Sequence, residues 1–148
     1  MVEIYDGSLD VKSIFNRWFD EQRNNNYGAF IPFVGVIRDE DGIDGLSFDI
    51  YEPILAQWFD GWQEKAKARG ALLKMAHSRG DVWLHTSSYI SAVFSPKRRV
   101  ALMLIDEFVE DFKANAPIWK YDLRDGARIY AEDRSTPMNG AGLLGGKL

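Results

Sequence analysis

Two lysines, Lys113 and Lys120, stand on either side of the stretch AlaAsnAlaPro at 114–117. An amine that is partly buried and close to another positive charge can lose its proton near neutral pH and act as a base or nucleophile. The pair is therefore a candidate for catalysis, provided the chain break between the lysines aims both at one place. A second cationic group, Lys97, Arg98 and Arg99, begins sixteen residues before Lys113. It falls at the predicted start of the same helix, where the dipole is already positive and each base opposes about 0.3–1 kcal/mol of dipole interaction. An anionic ligand would relieve that conflict. The competing readings are structural: Lys113 in a last turn is where the dipole favours a cation, and the basic triplet can be three solvated side chains.

The stretch Ser95–Lys120 must position all of these residues. Ser95 is placed to cap a helix, Pro96 suits its first position, and Val100, Leu104, Phe108 and Phe112 recur every four residues as an apolar stripe. Pro117 ends the helix. In an ideal helix Lys97 and Lys113 stand about 24 Å and about 160° apart, so one helix cannot bring both to one small ligand. If the two groups serve a single site, the basic turn comes from a second copy of the chain.

Around this stretch the sequence predicts a short strand at Glu3–Tyr5, then a helix capped by Ser8 or Asp10 with Val11, Ile14, Phe15, Trp18 and Phe19 inward. Residues 27–37 read as a strand in which Gly28, Pro32 and Gly35 signal an edge or a bulge. Arg38 ends it, beside an acidic, glycine-punctuated loop whose carboxylates can pair with it. An alternating strand at 46–51 leads to a helix opened by Pro53 and closed by Gly70. Three strands are predicted at 72–77, 81–84 and 88–94. ArgAspGly at 124–126 marks a hairpin. The elements mix without a strict βαβ rhythm, which predicts α+β with a largely antiparallel sheet.

The 148 residues, 46% hydrophobic, suit one domain over 1–134 followed by a flexible glycine-rich tail at 135–148. A net charge of -4 argues against a general nucleic-acid binder, so anion contacts must come from local clusters. No apolar run reaches membrane length and MetValGluIleTyrAspGlySer lacks a signal-peptide pattern, which together predict a cytoplasmic protein. The absence of cysteine excludes disulfides, thiolate-held zinc, cysteine-held iron–sulfur clusters and a cysteine persulfide in this chain. Any sulfur handled here is brought by another molecule. His77 and His85 are too few for a metal site or triad and read as ordinary strand or turn residues, so no metal or cofactor is expected.

Several segments resemble the catalytic, large subunit of molybdopterin synthase. GAFIPFVGVIR resembles that family's Gly-Ala strand ending in arginine, LSFDIYEPI its tyrosine-containing segment, AHSRGDV its His-Arg stretch, and FKANAPIWK its signature of a lysine seven residues before Pro-Ile-Trp-Lys ends. The resemblance covers roughly residues 28–125 and implies an α/β hammerhead fold. It implies Lys113 and Lys120 as catalytic, Arg38 as substrate-binding, and Lys97 and Arg98 as the counterpart of a His-Arg pair that faces the neighbouring protomer's site. Lysine replaces histidine at 97, keeping a cation but removing a group that titrates near pH 7. The implied reaction converts cyclic pyranopterin monophosphate to molybdopterin. Its sulfur comes from the C-terminal thiocarboxylate of a small ubiquitin-like subunit, and the implied assembly is a homodimer within a heterotetramer. LeuLeuGlyGly at 143–146 resembles the partner's Gly-Gly terminus and could occupy the same channel. The alternative from another class is a non-catalytic dimeric module that binds a ubiquitin-like protein or a phosphorylated metabolite.

Overall fold

In the computed structural model, which describes residues 1–131, the chain runs β1 (Val2–Asp6), α1 (Val11–Gln22), β2 (Ala29–Val36), β3 (Gly45–Ile50), α2 (Glu52–Ala68), β4 (Leu72–Trp83), β5 (Ser87–Ser95), α3 (Arg98–Asn115), β6 (Ile118–Arg124) and β7 (Ala127–Tyr130). The glycine-rich stretch at 135–148, with its LeuLeuGlyGly, lies outside the described residues. The architecture is α+β, as the element order predicts.

The sheet is organised on β4. Residues 72–77 pair antiparallel with β5, residues 75–79 take β1 in parallel, and residues 80–83 pair antiparallel with β3. The strand order is β2-β5-β4-β3-β6-β7, with β1 and β3 on consecutive lengths of the same edge of β4. Two strands, rather than the predicted three, therefore span 72–95. Gly80, at φ +80, gives the reason: its left-handed backbone, which a side chain would resist, bends β4 without ending it. Gly45 lets β3 approach closely, since a Cβ there would meet the Val82 carbonyl oxygen at 2.3 Å.

Every residue of β5 is buried, because both faces of the sheet are covered. Ile90, Ala92 and Phe94 face Leu9, Ile14 and Trp18 from the α1 side. Tyr89 and Val93 face Leu55, Phe59 and Trp62 of α2 and Leu104 and Phe108 of α3. The α3 stripe packs as predicted, with Leu104 and Phe108 fully buried and Val100 and Phe112 partly so. Burying a side chain of this size contributes about 1.5–3 kcal/mol. Strand β2 is an edge with a register shift between Gly35 and Val36, which accounts for Pro32 and Gly35 within it. The β6–β7 hairpin turns through Asp125 and Gly126 at φ 50 and 80, a pair of left-handed residues that matches strand twist.

The start of α3 differs from the prediction. Ser95 does not cap the helix; it is the last residue of β5, paired with Ala29, and its hydroxyl donates to the Lys97 carbonyl at 2.6 Å. Gly28 N–H donates to the carbonyls of Ser95 and Pro96, which ties the chain just before the helix to the start of β2. Lys97 is consequently the cap residue, and Arg98 and Arg99 open the helix. Of the two candidate caps for α1, Asp10 serves, accepting from the Ser13 N–H at 3.2 Å.

Candidate active site

The end of α3, the end of β2 and the first half of β6 converge on one cleft of about 330 Å³. Lys113 reaches it from the last turn of α3, which stops because Pro117 follows. Lys120 reaches it from β6, on the same face as Ile118 and directly opposite Phe48 of β3. Arg38 stands at the cleft just past β2. Its neighbour Ile37 is pinned through both backbone groups to the β4–β5 turn, donating to Thr86 O at 2.9 Å and accepting from His85 N at 2.6 Å. The β2 bulge lets consecutive residues Gly35 and Val36 both line the cleft, which a regular strand would send to opposite faces.

Three of the five predicted site residues are thus brought together from positions 38, 113 and 120. Lys113 is exposed and Lys120 half-buried. Arg38 is 80% exposed and pairs with Glu40 at 2.6 Å, the acidic-loop contact foreseen in the sequence. Lys97 and Arg98 do not join them. Both are exposed at the far end of α3, an 18-residue helix about 27 Å long at 1.5 Å per residue, and neither forms an ion pair among the described residues.

Sequence reasoning missed the floor of the cleft, which is aromatic. Tyr89 stacks on Phe112 with ring centroids 4.3 Å apart, Phe33 lies 6.0 Å from Tyr89, and Phe48 meets His77 edge-on at 4.9 Å. Phe112 had a purely structural place in the α3 stripe, and periodicity cannot separate a core ring from a cleft ring. His77 is buried, and burial holds its imidazole down at about 4 against an ordinary 6.5. Its Nδ1–H donates to the Ser78 carbonyl at 2.7 Å, which fixes the neutral tautomer. Burial pushes the Tyr89 phenol above its usual value; the Ser91 hydroxyl opposes this without reaching hydrogen-bond geometry. The floor therefore carries no charge at neutral pH, and the charged groups around it are Arg38, Lys113 and Lys120 with the single carboxylate of Glu40. Such a cleft suits a flat, partly apolar ring bearing negative charge, or an anionic chain terminus.

Fold and site together define a class: an α+β domain that presents two lysines and an arginine around an aromatic-floored cleft. Among the described residues there is no group of three or more His, Cys, Asp or Glu able to hold a metal ion. The chain belongs to the MoaE protein family, which residues 4–115 match. It is 51% identical over 144 residues to the molybdopterin synthase catalytic subunit of Helicobacter pylori, covering 97% of this chain and 99% of that one. The solved complex of subunits 1 and 2 of molybdopterin-converting factor from Helicobacter pylori superposes with a TM-score of 0.90 at 50% identity, covering 97% of this chain and 98% of that chain. The MoaE protein of Burkholderia ambifaria shares the fold, with a TM-score of 0.71 at 21% identity over 92% of this chain and 91% of that one.

Proposed function

We propose that this chain is the catalytic subunit of a molybdopterin synthase, converting cyclic pyranopterin monophosphate to molybdopterin with two sulfurs from the C-terminal thiocarboxylate of a small ubiquitin-like partner. The observation that carries the proposal is the convergence of Lys113, Lys120 and Arg38 on one cleft. The chain has no cysteine, so the sulfur must arrive on another molecule. Lys113 and Lys120 are the catalytic groups: their amines attract the anionic thiocarboxylate and exchange protons as sulfur adds to the pterin side chain. Arg38 binds the substrate. It must exchange Glu40 for the ligand, a small cost for a pair this exposed.

Lys97 and Arg98 complete the site from a second copy of the chain, which makes the working unit a homodimer carrying one small subunit at each end. The support is the length of α3, which separates them from Lys113 within one protomer, together with their exposure and unrelieved position at a helix N-terminus. A cytoplasmic setting belongs to the same proposal and is tested by fractionation.

The experiment mixes the purified chain with cyclic pyranopterin monophosphate and the thiocarboxylated small subunit and measures dithiolene pterin. Lys113→Ala should bind the small subunit normally and lose at least about a hundredfold in turnover, the scale expected for removing a proton-transfer group. Full activity in that variant refutes the catalytic assignment. Normal complex formation with no turnover by the native chain favours a non-catalytic docking module. Mixing Lys113→Ala with Arg98→Ala protomers should restore part of the activity, since a hybrid dimer holds one intact site.

A further inference from the structure

Asp111 lies four residues before the end of α3, in the half of the helix where the dipole favours cations, yet it is the most heavily used hydrogen-bond acceptor on that helix. Its Oδ2 accepts from the indole Nε1 of Trp58 at 2.9 Å and of Trp62 at 2.7 Å, both on α2. Its Oδ1 accepts from the Asn115 amide at 2.6 Å. Burial by itself would raise this carboxyl; the hydrogen bonds from Asn115, Trp62 and Trp58 outweigh it and hold the group below its ordinary value, with help from the charge of Lys65. The carboxylate is therefore a fixed anionic link between two helices.

We propose that Asp111 is a positioning residue for the reaction: by fastening the end of α3 to α2 it sets the direction in which Phe112 and Lys113 enter the cleft. Successive residues advance about 100° around a helix, so fixing Asp111 against α2 fixes the azimuth of the next two side chains. The same link reaches the cleft floor through rings. Trp58, held by Asp111, lies 6.0 Å from Phe112, which stacks on Tyr89 and stands 5.6 Å from His77. An apolar residue at 111 could pack α3 on α2 but would leave both indole N–H groups unpaired, and apolar packing such as that of Phe108, which tolerates small rotations, would alone set the azimuth of the last turn. This inference rests on the proposed catalytic role of Lys113.

The test uses the chain reconstituted with its thiocarboxylated partner. Asp111→Ala should lower kcat on the order of a hundredfold, as a misplaced catalytic group does, with KM for the pterin within about twofold of native. Asp111→Asn, whose amide oxygen can still accept both indole N–H groups, should recover most of kcat. Trp58→Phe keeps an aromatic ring but removes one hydrogen bond, and should lower kcat in the same direction by less. In a Lys113→Ala background, Asp111→Ala should reduce the residual rate no further. If Asp111→Ala fails to fold, Trp58→Phe decides. The proposal falls if these variants turn over normally while Lys113→Ala is inactive. It also falls if Asp111→Ala lowers the rate of the Lys113→Ala enzyme as much as that of the native one. Full activity in Lys113→Ala instead removes the reading on which the inference stands.

Discussion

Replacing His77 with glutamine tests the neutral floor of the cleft, and the expected size follows from burial. In the folded chain the imidazole titrates at about 4, whereas in the unfolded chain it returns to 6.5. Between those values the unfolded state binds a proton that the folded state refuses. Stability therefore falls as pH drops through this window and is unaffected by His77 well above it. One such group costs the fold about 2 kcal/mol at pH 5 relative to pH 7, and about 3 kcal/mol at pH 4. The assay is urea unfolding of native chain and His77→Gln at pH 7, 6 and 5. The variant starts from a different stability, because glutamine packs poorly among Phe48, Tyr89 and Phe112, but its curve should lack the histidine contribution. Other groups titrate equally in both proteins and cancel in the comparison. Native chain should lose about 2 kcal/mol more than the variant between pH 7 and pH 5. Parallel losses would refute the reasoning, since they would mean that His77 takes up its proton in the folded protein.

Phe108 is fully buried with its ring 5.2–6.0 Å from those of Trp58, Phe59 and Trp62, so Phe108→Ala should cost about 3–5 kcal/mol and lower Tm by about 10 °C in a thermal melt. Arg38→Ala should do the opposite: its ion pair with Glu40 is exposed and worth less than about 1 kcal/mol, so Tm should hold while KM for the pterin rises. A fall in Tm comparable to that of Phe108→Ala would make Arg38 a structural residue.

Much of this protein is written locally in its sequence. The α3 stripe, the stop at Pro117, the Asp10 cap, the ArgAspGly turn and the edge character of β2 depend on period, capping and backbone restrictions that act within a few residues. The spacing of Lys113 and Lys120 around a helix stop was legible for the same reason, as was the distance of Lys97 from both. Competition between partners was not legible. Ser95 has the chemistry of a helix cap, but its pairing with Ala29 claims it for the sheet and moves the helix start to Arg98. Gly80 looks like a strand end and is a bend within β4, because β3 supplies a new partner beyond it. Arg38 joins the lysines only because the end of β2 and the start of β6, separated by three strands in the sheet, both lie beside the last turn of α3. Tyr89 and Asp111 carry no sequence signal at all, and the motif that contains His77 says nothing of its place in the cleft floor. Their roles come from what surrounds them, burial in two cases and two indole donors from another helix in the third, and such surroundings exist only once distant segments have packed.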